Sequence, residues 1–396
     1  MKRRDFIQYT GLTSTALMIP GFLKAFEKNI IQHTGKRLIV VQLAGGNDGL
    51  NTCIPYQNDI YYSSRPKLAI QKQEILRLSD EFGFHPSLEG FRKLYDGGEL
   101  AIYHGVGYPN PDRSHFRSMD IWHTASDSNE YLNTGWIGRL LDSNCPGSEN
   151  PWYALEVDDT LSLAMKGQNL SGFAVKNPQR LKRTLNNEVF AGLSVPAYAT
   201  ENDSELSFLY KTLSSTRSGA KYISEKADIK ESASIYPAHE FGNSMKQIAG
   251  FINNGIGSRI FYTGLSGFDT HVRQSETQQR LLKVVSDSIS QLRDDLKASN
   301  NWNDTVVMVF SEFGRRVKQN ASNGTDHGTA NQVYLFGGDL KHAGFRNQAS
   351  DLSVLDDGDL IHSLDFRTIY ASLLEKTLAF DSQKVLGKKF DLIDAI

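Results

Sequence analysis

Residues 40–52 read VVQLAGGNDGLNT. The apolar run of Val40, Val41 and Leu43 has the character of a buried strand, since continuous apolar runs suit a sheet covered on both faces. Gly45, Gly46 and Gly49 then let the backbone turn sharply and approach another group closely. Between Asn47 and Gly49 stands one carboxylate, Asp48. In an open parallel sheet, ligands bind outside the carboxyl ends of the strands. An acid at this point is therefore a candidate ligand for a hard cation, although an Asx turn would also account for it. The A-G-G-N-D-G pattern is not the G-x-G-x-x-G of dinucleotide binding, and Pro55 interrupts any following helix.

Four more segments carry the same signature: LAIYHGV (100–106), SRIFYTGL (258–265), TVVMVFSEF (305–313) and QVYLFGG (332–338). Helical patterns lie between and after them. Residues 278–296 place Leu281, Leu282, Val285, Ile289, Leu292 and Leu296 on one face, and residues 362–378 do the same with Ile369, Leu373 and Leu374. Strands alternating with helices predict an α/β fold with a mostly parallel sheet flanked by helices. Residues 145–240 are polar and poor in strand signals, and read as an insertion or cap within the same domain.

The chain has 396 residues, 39% of them apolar and 22% charged, with a formal net charge of -2. That composition predicts a folded core and gives no basic excess of the kind nucleic-acid binding needs. Cys53 and Cys145 are the two cysteines, and without a C-x-x-C pair they do not make a thiolate zinc site. The N-terminus, MKRRDFIQYTGLTSTALMIPGF, joins paired arginines to a short apolar stretch. This is the pattern of a twin-arginine export signal over residues 1–35, with the translocase as partner and a periplasmic or extracellular destination. The mature chain, 36–396, has no stretch long enough to span a bilayer of ~30 Å.

The loops after the predicted strands hold the chemistry. YPNPDRSHFRSMDIWHT (108–124) contains Arg113, an anion-binding guanidinium, and Ser114, a hydroxyl that needs a base or metal to become nucleophilic. A helix starting at Ser114 would place that serine where backbone N–H groups favour an anion. In GLSGFDTHVRQ (264–274), Asp269 and His271 are two apart and face one side of an extended segment. In SEFGRRVKQNASNGTDHGTANQ (311–332), Asp326 and His327 are adjacent, and Gly324 and Gly328 allow a bend that turns both toward one ion. Three loops offering carboxylate and imidazole ligands make a two-metal site the expectation. Mixed Asp/His ligation suits zinc or manganese, and carboxylate-rich ligation suits calcium or magnesium.

The combination of L-x-G-G-x-D-G-L-N-T around Asp48, R-S-H-F at 113–116, F-D-T-H at 268–271, S-E-F-G-R at 311–315 and T-D-H-G at 325–328 resembles the exported domain of unknown function 1501 family. That family in turn resembles the alkaline phosphatase and sulfatase superfamily. The resemblance implies an alkaline-phosphatase-like fold and a metal-dependent hydrolase of phosphate or sulfate esters, small or polymer-borne. It implies Ser114 as nucleophile with Arg113 beside the transferred group, and Asp48, Asp269, His271, Asp326 and His327 as ligands of two divalent ions. His342, His362, His85 and His115 are the candidates for the remaining ligand. The sulfatase C-x-P-x-R motif is absent, since Cys53-Ile54-Pro55-Tyr56-Gln57 lacks the arginine. The alternative is an exported binding or assembly protein that keeps the fold without turnover.

Overall fold

The computed structural model describes residues 35–143, 150, 152–185, 217–226, 232 and 234–396. The export signal and Cys145 lie outside them. Among the described residues the main sheet has nine strands. In chain order these are β1 (Arg37–Ala44), β2 (Leu100–Gly107), β3 (Ala154–Glu156), β4 (Phe173–Ala174), β5 (Ile260–Ser266), β6 (Thr305–Phe310), β7 (Asn331–Gly337), β8 (Gly344–Phe345) and β9 (Leu364–Asp365). Their spatial order is β8-β2-β7-β6-β1-β5-β3-β4, with β9 also paired to β2. All pairings are parallel except those of β7, which runs antiparallel to both β2 and β6. All five predicted strands are present.

β1 lies in the middle, with Val40 opposite Tyr262 of β5 on one side and Met308 of β6 on the other. Its residues alternate between two cores. Ile39, Val41 and Leu43 enter one apolar cluster, and Leu38 and Val40 enter the other. Both sets are buried because helices cover both faces, which is why the run is continuously apolar.

The helices that position the site and cover the sheet include α1 (Glu89–Asp96), α2 (His115–Thr124), α3 (Trp136–Asp142), α4 (Glu240–Asn253), α5 (Gln274–Ala298) and α6 (Phe366–Ser372). α5 buries Leu281, Leu282, Val285, Ile289, Leu292 and Leu296 against the Ile39 face, alongside Phe241, Met245 and Ile248 of α4. On the other face, Ile121 and Trp122 of α2, Trp136 and Ile137 of α3, and Phe366, Ile369 and Tyr370 of α6 pack together. Each such side chain contributes roughly 1.5–3 kcal/mol on burial. The last predicted helix begins later than its apolar pattern suggests. Asp365 accepts a hydrogen bond from Arg367 N at 3.0 Å and caps α6, which passes into a π-helical turn at Leu373–Thr377.

Of the stretch read as an insertion or cap, 186–216 lies outside the described residues, and another part joins the main sheet. Residues 154–156 and 173–174 extend the sheet as β3 and β4, with Ala154 and Leu155 fully buried. Strands of two and three residues are too short to show a hydrophobic period. Cys53 is a free, buried thiol, and burial pushes its pKa well up. No helix among the described residues is long and apolar enough to cross a membrane.

Candidate metal centre

The carboxyl ends of β1, β2, β5 and β6 and the amino end of β7 share one edge of the sheet. The loops that follow or precede them carry the predicted site residues. β1 ends in Gly45 and Gly46, both at positive φ (118° and 74°). A Cβ on Gly45 would stand 2.4 Å from Asp269 N, and one on Gly46 would stand 2.3 Å from the Phe313 ring. Only glycines let the three loops approach so closely. Gly45 N donates to Glu312 Oε1 at 2.8 Å, and the carbonyls of Gly45 and Gly46 accept from the buried Arg315 guanidinium. Arg315 also donates to the carbonyls of Phe268 and Thr325 and to Asp269 Oδ1 at 2.8 Å. One side chain thus ties together the loops after β1, β5 and β6.

Around Asp269 three imidazoles converge. His271 Nε2 and His327 Nε2 are each 3.1 Å from Asp269 Oδ1 and 2.9 Å from each other. His115 Nε2 is buried, has no hydrogen-bond partner, and stands 3.5 Å from Asp269 Oδ2. Ligand atoms of His115, Asp269 and His327 all lie within 4.8 Å of one another. Each ring presents its other nitrogen to an oxygen. His115 Nδ1 meets Glu312 Oε1 at 2.9 Å, His271 Nδ1 meets Asp326 Oδ1 at 3.3 Å, and His327 Nδ1 meets the Arg113 carbonyl at 2.8 Å. An acceptor at Nδ1 keeps the proton there and leaves the Nε2 lone pair aimed at the centre, the arrangement metal-binding histidines use. Tetrahedral ligands at 2.0–2.1 Å from an ion sit about 3.3 Å apart. The separations at Asp269 bracket that value, so His115, Asp269 and His327 fit a single divalent ion, with His271 against both Asp269 and His327.

The electrostatics agree with ligand roles. Burial would raise the Asp269 carboxyl, but donors from Arg315 and His327 outweigh it and hold its pKa at about 2. The hydrogen bond to Glu312 raises His115 against the effect of burial. Burial lowers His327, which keeps its ring neutral.

Of the residues singled out in the sequence, Asp269, His271, Asp326 and His327 come together, and His115 joins them. Asp326 faces the outer nitrogen of His271 rather than the centre. Asp48 does not join. Its carboxylate is buried and pairs through Oδ2 with Arg65 Nη1 at 2.5 Å and with the Gln274 amide. The sequence held no cue to either partner. Arg65 lies 17 positions away beyond a turn, and Gln274 is one polar residue at a helix start. Ser114 is the N-cap of α2, exposed and with no side-chain capping bond, and its backbone N–H donates to Asp112 Oδ1 at 2.7 Å. It stands between two residues that touch the cluster, Arg113 and His115. The Arg113 side chain turns away, to Asp357 and the buried Asp359, and reaches the cluster only through its carbonyl. His85 is buried elsewhere and lowered to about 4 by burial. His342 uses its backbone N–H on Ala395, and His362 lines a neighbouring cavity.

With this geometry in hand, residues 35–388 match the family described as Protein of unknown function (DUF1501), and the chain belongs to it. No curated protein matches the chain in sequence. Similar solved structures include the zinc complex of the C-terminal periplasmic domain of EcEptC from Escherichia coli, at 10% identity, 78% of this chain, 75% of that chain and a TM-score of 0.37. Others are the lipoteichoic acid synthase LtaP from Listeria monocytogenes (12%, 91% and 74%, 0.39) and the PsFucS1 sulfatase from Pseudoalteromonas sp. (12%, 92% and 71%, 0.42). Similarity at these values is remote.

Proposed function

We propose that the protein is an exported, metal-dependent hydrolase of phosphate or sulfate esters, with Ser114 as the attacking hydroxyl. The observation that carries this reading is the convergence of three imidazole Nε2 atoms and Asp269 beside an exposed serine. Three nitrogens and one carboxylate suit zinc or manganese better than calcium or magnesium, which prefer all-oxygen shells. The reading is of one centre rather than two, since the Asp48 carboxylate lies with Arg65 and Gln274 and outside the imidazole cluster. A divalent ion held by His115, Asp269, His271 and His327 would supply Lewis-acid stabilisation of a developing anion.

The chain's own residues do the rest. The first turn of α2, a helix of ten residues, directs backbone N–H groups toward an anion placed at Ser114. The Arg113 carbonyl and Glu312 fix the His327 and His115 rings. Ser114 Oγ would displace the alcohol from phosphorus or sulfur, and water would later release the serine ester. Export rests on the N-terminal arginine pair and apolar stretch.

One observation favours the second reading, a binding protein without turnover. Arg315 already gives Asp269 Oδ1 a positive charge at 2.8 Å, so the acid is neutralised by the chain itself. Elemental analysis of the purified protein, with an aryl phosphate and aryl sulfate assay, separates the two. The hydrolase reading expects about one metal per chain and turnover that Ser114→Ala abolishes with the metal retained. Absence of metal together with absence of turnover would establish the binding protein instead.

A further inference from the structure

We propose that the cavity beside the cluster holds the alcohol part of the ester, and that it takes an uncharged, hydroxyl-bearing group the size of one six-membered ring. This rests on the ester-hydrolase reading.

The cavity has a volume of about 190 Å³. A dry cavity of roughly 150 Å³ holds one benzene ring, so one ring fits here and a second does not. Its apolar wall includes Tyr108, Trp122 and Phe313. The Phe313 ring packs 4.9 Å from the His115 ring and 4.8 Å from the His327 ring, centroid to centroid, so one side chain borders both the cavity and the cluster. The loop from Tyr108 to Asp112 forms another wall and runs straight into Arg113, Ser114 and His115. Asp112 of that wall accepts from Ser114 N at 2.7 Å, so the cavity begins one hydrogen bond from the serine.

The polar lining sets the chemistry. Asp112, Glu312 and Asp356 are all on the wall. Three carboxylates disfavour a second anion, so the charged end of the substrate belongs on the imidazole side. Glu312 is already engaged by Gly45 N, His115 and Ser311 Oγ, and Asp112 Oδ1 by Ser114 N. Each carboxylate has about four acceptor positions, so Asp112 and Asp356 retain capacity for donors. Aromatic edges with carboxylate acceptors suit a ring that is apolar on one face and carries hydroxyls on its rim.

The test measures binding by calorimetry to the full-length protein, with myo-inositol 1-phosphate, cyclohexyl phosphate and methyl phosphate as probes. Ile361 lines the cavity but is 46% exposed and lies outside the cluster, so Ile361→Trp can fill the space without disturbing the fold. The hydroxylated ring should bind at least tenfold tighter than methyl phosphate and several-fold tighter than cyclohexyl phosphate. Ile361→Trp should remove that margin and leave methyl phosphate binding unchanged. Equal binding of the three probes overturns the proposal, and so does an Ile361→Trp effect that is equal on all three. Binding in the expected order without turnover of any ester sinks the hydrolase reading and leaves the cavity assignment standing. Binding of none of the probes overturns both.

Discussion

Replacing Arg65 tests what Asp48 is for. The guanidinium is fully buried and donates to Asp48 Oδ2 at 2.5 Å and to Asn51 Oδ1, the Val317 carbonyl and the Arg316 carbonyl, each at 2.9 Å. Arg65→Met removes the only charged partner, among the described residues, of a carboxylate whose side chain is 1% exposed. Asp48 would keep the Gln274 amide on Oδ2, and its Oδ1 has no hydrogen-bond partner even in the intact protein. Leaving one member of a buried ion pair uncompensated costs about 3–5 kcal/mol. Asp48→Asn is milder, at about 1–3 kcal/mol, because Arg65 retains three oxygen acceptors. The double variant should cost less than the sum of the two, since the partners share one interaction. Urea unfolding followed by fluorescence measures the three differences, and elemental analysis of the same samples measures metal. The expected result is a larger loss for Arg65→Met than for Asp48→Asn, with the metal content of Asp48→Asn equal to that of the unmodified protein. If Asp48→Asn releases the metal while stability holds, the acid is a ligand and the reasoning from its Arg65 pairing is refuted.

Two further outcomes follow from the same geometry. Asp326 orients His271 from outside the centre, so Asp326→Ala should weaken metal affinity about 10–100-fold in chelator competition, whereas Asp269→Asn should abolish binding. Equal loss in both variants would place Asp326 among the ligands. Glu156, at the end of β3, gives a pH signature of its own outside the imidazole cluster. Burial pushes its carboxyl from 4.5 up to about 7, against an opposing hydrogen bond from Ser162 N. An acid raised in the folded state lends stability that is complete below its unfolded pKa and is lost as pH rises through the folded one. About 3 kcal/mol should therefore disappear between pH 4.5 and about 7. Glu156→Gln should flatten that part of the stability profile, and an unchanged slope would show that Glu156 is not its source.

The apolar runs at 38–44, 100–106, 258–265, 305–313 and 332–338 determined the sheet, because a strand covered on both faces must be apolar at every position. They also determined which loops would stand at the sheet edge, and so brought Asp269, His271, Asp326 and His327 forward as a group. The direction of β7, the addition of β3 and β4, and the side each acid takes belonged to the tertiary structure alone. Asp48 sits at the right strand end, yet the turn through Gly45 and Gly46 sends it to Arg65, while the same turn offers its backbone to Glu312 and Arg315. His115, one of four histidine candidates by sequence, was selected by Glu312, which lies 197 residues further on and holds its ring. Sequence periodicity reports which residues leave the core. The direction of a side chain after a glycine turn depends on backbone dihedrals and on partners hundreds of residues away, and those exist only once the loops have packed.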